Sequence, residues 1–139
     1  MKVYVFFIVV FISFSCANKK PTQEKINSTG LTEISFEEEM HDFGKLLSGE
    51  IVVYTFIFTN TGNHDLTFKK VYSDCGCVHV DYSKNDVKSG SKGKIVVEFD
   101  SSGLTGRQLK TIEIHANCKE PKQLVIFAEV KNEQIEIES

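Results

Sequence analysis

The chain has no apolar run long enough to cross a bilayer. The longest covers residues 3–14 and is broken only by Tyr4 and Ser13. That is roughly a dozen residues, where a spanning helix needs about twenty. A basic surplus is also missing. Sixteen Lys and Arg stand against 19 Asp and Glu, for a net charge of -3. This argues against a nucleic-acid partner, which would be met by a basic face. Long blocks of like charge are absent, and the densest, Glu37-Glu38-Glu39, reads as a solvated strand end. Tryptophan does not occur, so 11 phenylalanines supply the aromatic bulk. No segment of useful length repeats every 3.6 residues, and no unit recurs along the chain, which sets aside helical and repeat architectures. Gly-x-Ser-x-Gly, phosphate-loop and His-Glu-x-x-His patterns are all missing. The carboxylates are too scattered to name a general acid and base. No catalytic residue and no cofactor is therefore assigned.

What is present begins with an address. Met1-Lys2 followed by the short apolar run fits a secretory signal. Ser13 and Ser15 are small residues at the positions a signal peptidase reads, which places the cut before Cys16. A cysteine in that place resembles a bacterial lipoprotein signal, in which it is acylated. Ser13 departs from the large aliphatic residue usual there. The expected organisation is a signal peptide over residues 1–15 and a lipidated Cys16 opening a polar tether over residues 16–32. A folded domain over residues 33–131 and a polar tail over residues 132–139 follow. The expected location is the cell envelope, held to the membrane by lipid, in a compartment that permits disulfides.

The domain reads as successive strands. Tyr54, Phe56 and Phe58 share one face of the strongest, opposed by Thr55, Ile57 and Thr59. Shorter alternations centre on Ile34 and Phe36, on residues 41–46, and on Leu66 and Phe68. Others place Val78, Val80 and Tyr82 on one face, then Ile95, Val97 and Phe99, then Ile112, Ile114 and Ala116, then Leu124, Ile126, Ala128 and Val130. Turn-forming clusters separate them, among them Asn60-Thr61-Gly62-Asn63, which needs no role beyond its turn. About seven short strands in about a hundred residues predict one antiparallel β-sandwich of immunoglobulin type.

The stretch with most chemical content is Cys75-Gly76-Cys77-Val78-His79. After signal and anchor, three cysteines remain, Cys75, Cys77 and Cys118, an odd number. In a sandwich, Cys75 and Cys118 fall at opposite ends of neighbouring antiparallel strands, so Cys118 is expected to stay unpaired. Residues two apart in a strand lie roughly 6.5 Å apart at Cα, near the upper limit for a disulfide. A Cys75–Cys77 bridge therefore needs Gly76 to shorten the span. With Val78, Val80 and Tyr82 facing the core, Cys75, Cys77 and His79 share the outward face. Three readings stay open for them: a structural bridge or bend, a redox-active pair, and a soft-metal site. His41 beside Asp42 suggests an oriented imidazole but reads more simply as a strand start with Phe43 plugging the core. His64 and His115 read as solvated.

Three motifs in order, His41-Asp42-Phe43-Gly44, Phe56-x-Phe58-x-Asn60-Thr61-Gly62 and Cys75-Gly76-Cys77, resemble an uncharacterised family of secreted bacterial proteins. The family's domain is similar to the immunoglobulin-like modules of the abnormal-spindle and hydin type. The resemblance covers residues 36–130. Where the family has Thr after the second cysteine and often Pro soon after, this chain has Val78 and His79. It implies a fold and a location, not an activity. The functional expectation is a non-catalytic envelope module that binds a protein or envelope component. The alternative is a thiol-redox or copper-handling protein using Cys75 and Cys77.

Overall fold

The alternating segments become eight strands in a computed structural model that describes residues 30–132. The expected signal peptide, Cys16, most of the tether and most of the tail lie outside the described residues. The strands are β1 (Ile34–Phe36), β2 (Met40–Leu47), β3 (Ile51–Asn60), β4 (Phe68–Ser73), β5 (Val78–Tyr82), β6 (Lys92–Asp100), β7 (Gly106–Ala116) and β8 (Lys122–Lys131). They form two four-stranded sheets, ordered β1-β3-β6-β5 and β2-β8-β7-β4. This is the immunoglobulin-like sandwich that the alternation predicts.

One pairing differs from the antiparallel expectation. β2 runs parallel to β8, so the second sheet is mixed. After β1 the chain does not return as a hairpin; it crosses to the other sheet and becomes its edge strand, beside β8. The His-Asp-Phe-Gly motif shapes this crossing. The β2–β8 register shifts between Asp42 and Lys45. Gly44 sits at φ +73, a conformation that glycine adopts without the steric cost other residues meet. Its amide donates to Asp42 Oδ1 at 2.7 Å.

Inward residues of the two sheets interdigitate. Phe56, Phe58, Ile95, Val97 and Phe99 meet Ile112, Ile114, Leu124, Ile126 and Ala128, all buried. Each of these side chains larger than Ala128 contributes about 1.5–3 kcal/mol on burial. Edge-on rings extend the core sideways, with Phe58 to Phe68 at 5.4 Å and Phe68 to Tyr82 at 5.5 Å.

Register defines two poles. Ile34 pairs with Asn60, and Thr32 bridges Cys118, so the incoming chain lies at one pole with the turns after β3 and β7. Leu47 pairs with Lys131 and Ile51 with Asp100, so the outgoing chain lies at the other. Two asparagines organise the first pole, Asn60 buried and Asn117 half-buried. Asn60 Nδ2 donates to His64 O and Val87 O, both at 2.8 Å, while its Oδ1 accepts from Thr32 Oγ1 at 2.7 Å. Asn117 Nδ2 donates to Gly30 O and Asp65 O, and its Oδ1 accepts from Thr67 N–H. Thr32, assigned to the tether on sequence, is thus buried. Asn60 ends β3 as a hub of hydrogen bonds; the residues read as a plain turn hold three loops together. A Cβ on Gly62 would overlap Thr32 Oγ1 and the Glu33 amide, which explains the glycine of that motif.

Candidate functional site

Cys75-Gly76-Cys77 lies where the chain leaves β4, the edge of one sheet, and starts β5, the edge of the other. Val78 N–H donates to Cys75 O at 3.1 Å, closing a β-turn. The turn brings the two Cα atoms to 5.1 Å, and the sulfurs are joined in a disulfide. Gly76 does not have a positive φ, and a Cβ there would meet nothing. The span is shortened by the turn itself, not by a glycine-only conformation. Asp100 N–H donates to Cys77 O at 2.9 Å, so the second cysteine is pinned to the end of β6. Both cysteines are half-buried and pack against the core.

The strand phase read from sequence holds within β5, where Val78 is buried while His79 and Asp81 are exposed. Cys75 and Cys77, expected on the outward face with His79, instead pack against the core, because the turn takes them out of the strand's alternation. The structure does not gather Cys75, Cys77 and His79 into a metal site. Sulfurs bonded to each other have given up the thiolates a soft metal binds. Among the described residues, no three His, Cys, Asp or Glu side chains are placed to hold a metal ion. Cys118 is the free cysteine among the described residues. It lies at the Phe68–Ala116 end of the β4–β7 ladder, whereas Cys75 follows the Ser73–Ile112 end. It lines an open groove of about 490 Å³ with Glu33, Lys119 and Lys122, and burial pushes its thiol pKa up, away from nucleophilic character.

Beside the disulfide, on the outer face of β4 and β7, a polar cluster forms that sequence reasoning missed. Tyr72 Oη donates to Glu113 Oε2 at 2.8 Å, and His115 Nε2 lies 3.1 Å from the same oxygen. The rings of Tyr72 and His115 stack, and Lys70 Nζ sits 3.7 Å above the Tyr72 ring. The Tyr72 hydrogen bond, then that of His115, hold the Glu113 carboxyl below its usual range. The same Tyr72–Glu113 bond pushes the phenol up. His115, read as solvated, is half-buried here. His64 is exposed as expected. His41 is oriented not by Asp42 but by stacking on Tyr54 at 3.5 Å, with Glu38 at 3.8 Å; Phe43 packs against the core.

A second missed feature is an apolar band on the outer face of the same sheet. Met40 pairs with Val125 and Thr111 with Val125; Leu109 pairs with Phe127. None of Met40, Leu109, Val125 or Phe127 packs against the core, and Met40 and Leu109 are 56% and 61% exposed. A row of Lys45, Glu129 and Arg107 borders the band. The signal was available: Leu124-Val125-Ile126-Phe127 is apolar at both parities, where a strand with one wet face alternates.

Comparison with known proteins follows the motifs. A family described as protein of unknown function (DUF1573) matches residues 34–130. The chain belongs to that family. Among solved structures, it is similar to a protein of unknown function from Porphyromonas gingivalis W83, at 16% identity and a TM-score of 0.64, over 78% of this chain and 51% of that one. It is also similar to the ASH/PapD-like domain 7 of human CEP192, at 10% identity and a TM-score of 0.61, over 95% and 99% of the two chains. A third similarity is to the secreted serine protease VesC of Vibrio cholerae, at 13% identity and a TM-score of 0.54, over 70% of this chain and 23% of that one. These identities show the fold alone. The chain spans about half of the Porphyromonas protein and less than a quarter of VesC. No curated protein matches the chain.

Proposed function

We propose that this protein is an exported, lipid-anchored, non-catalytic binding module that presents an immunoglobulin-like domain to a protein or other component of the cell envelope. The observation that carries this reading is the apolar band of Met40, Val125, Phe127 and Leu109. It lies on the outer face of a sheet whose inner face already supplies a complete core. An exposed contiguous apolar patch rimmed by charge is how a binding surface differs from scattered surface residues. The export signal and Cys16 supply the anchor in this reading. The chain enters the domain at the Thr32 pole, so the anchor leaves the outer faces and the Leu47–Ile51 turn accessible. The test combines fractionation with cross-linking. Wild type should fractionate with membranes and Cys16→Ser should not. A photo-cross-linker at position 109 should capture a discrete adduct that one at exposed Lys84 does not. A soluble wild type sinks the anchor, and identical patterns at 109 and 84 sink the binding face.

A second reading, a thiol-redox protein, is favoured by the Cys75–Cys77 disulfide itself. A half-buried bridge at an edge-strand crossing is accessible enough to cycle.

A further inference from the structure

A sandwich of two open sheets has four edge strands, and three of these are blunted. β1 has only three residues. β2 carries the register shift at Gly44, and β4 carries another between Phe68 and Lys70, with Lys69 and Lys70 side by side and exposed. Shortness, bulges and lysines are the devices by which proteins keep edges from pairing. The fourth edge, β5, runs in unbroken register with β6 from Val78 to Tyr82 and has no lysine or proline.

The direction of its free hydrogen-bonding groups follows from one bond. Asp100 N–H donates to Cys77 O, one step before the Val78–Phe99 pair. Bonded and non-bonded pairs alternate along an antiparallel ladder. Cys77, His79 and Asp81 therefore aim their main-chain groups at β6. Val78, Val80 and Tyr82 aim theirs off the edge, except that the Val78 amide is used in the Cys75 turn.

We infer that β5 is the pairing edge for a second copy of this chain, antiparallel about a two-fold axis through Val80. In that register the Val80 amides and carbonyls of the two copies exchange hydrogen bonds, and each Tyr82 amide donates to the Val78 carbonyl of the other copy. On the solvent face each exposed His79 stands opposite the other copy's Asp81, in a non-bonded pair where side chains come closest. An imidazole N–H donates to a carboxylate in either protonation state. On the core face Val80 meets Val80, and Val78 meets Tyr82. Charge selects this register. Moving the strands by one hydrogen-bonded step puts Asp81 opposite Asp81 in one direction, where directly opposed like charges disfavour pairing. In the other direction it puts His79 opposite His79 and gives up both imidazole–carboxylate pairs. The result is a continuous eight-stranded sheet with both β5 edges covered. Two five-residue strands bury little area, so the association is weak and concentration-dependent. With the lipid anchor of the proposed function, on which this point rests, a shared membrane raises the effective concentration of the two copies.

The test is sedimentation equilibrium of the full-length protein in detergent across a concentration series. Wild type should self-associate. His79→Asp should weaken association by about tenfold or more, because each interface then sets two aspartates against each other twice. His79→Asp combined with Asp81→His, which exchanges the partners, should restore it. Amide exchange gives a readout independent of any variant: Val80 and Tyr82 amides should gain protection as concentration rises. A chain that stays monomeric, a dimer indifferent to His79→Asp, or a double variant without rescue would overturn the proposal. Both residues are exposed, and an unchanged circular-dichroism spectrum checks that the variants keep the fold.

Discussion

The Thr32 pole and the Cys-Gly-Cys corner each fasten chain segments that cross between elements, and they do so by opposite means. At the pole, Asn60 is fully buried, and every polar atom of its side chain is used. Its main chain is also committed, donating to Ser91 O and accepting from Gly90 N–H. At the corner, one covalent bond closes a ring of three residues that is half-buried and tied to the rest of the fold through Cys77 O. A buried side chain that satisfies several loops at once is expensive to lose, because each abandoned partner keeps its desolvation cost. A disulfide that closes a very short loop removes little freedom from the unfolded chain. The weaker-looking fastener therefore carries more of the stability, and the covalent one has mainly a local role.

The sharpest way to break this comparison is Asn60→Ala. It leaves the Thr32 hydroxyl and the His64 and Val87 carbonyls without their partner, and the loss of stability should be about 3–4 kcal/mol, read as a shifted midpoint in urea unfolding. Asn60→Asp sharpens it further. The shape is kept, yet a carboxylate oxygen is turned toward two carbonyl oxygens, so the variant should be no more stable than the alanine. A loss below about 1 kcal/mol for Asn60→Ala would show that water takes over the hub.

Next in size is the corner. Cys75→Ser with Cys77→Ser should cost about 1.5 kcal/mol, the chain-entropy value for a three-residue loop, and leave the spectrum of the folded domain unchanged. Thiol counting with and without reductant on the same preparation tests the redox reading. A pair that opens and recloses against a glutathione buffer, with a definite reduction potential, supports it. Thiols that never cycle, or a bridge that no physiological reductant opens, sink it. A destabilisation as large as that of Asn60→Ala would dissolve the contrast between the two regions.

Most of the sandwich is legible because alternation is a direct record of burial: Phe56 with Phe58, Ile95 with Val97, and Ile112 with Ile114 share strand faces by sequence, and those faces lie inward. What escaped depends on partners far along the chain. Nothing near Met40 says that it runs parallel to β8, since the crossing from β1 is a choice of topology. The half-burial of His115 comes from Tyr72, 43 residues away in sequence and a neighbour only through the β4–β7 register. Asn60 has the composition of a turn residue, and only the closing of Thr32 over it makes it a core residue. The loss of alternation in β8 marks Val125 and Phe127 as an apolar outer face. The Cys-Gly-Cys stretch was found at once, but its geometry was not. The turn hydrogen bond at Val78, and not Gly76, brings the cysteines together.

The smallest expected effect belongs to the Tyr72–Glu113–His115 cluster, which sits beside the corner without being fastened by it. Its hydrogen bonds hold the Glu113 carboxyl below its usual range and the Tyr72 phenol above it. A lowered carboxyl stabilises the fold above its unfolded pKa, and that stability is lost as pH falls through the folded value. A raised phenol stabilises below its unfolded value near 10.0 and is lost as pH rises through the folded one. The cluster should therefore support the fold on a plateau from mildly acid to mildly alkaline pH and fade at both ends. All three side chains reach solvent, so the effect is a small one. Tyr72→Phe removes the shared hydroxyl and should flatten both flanks of the stability-against-pH curve relative to wild type. Glu113→Gln should flatten the acid flank most. If the wild-type curve keeps both flanks in Tyr72→Phe, the pH response arises elsewhere, and the cluster does no more than order the surface next to the disulfide.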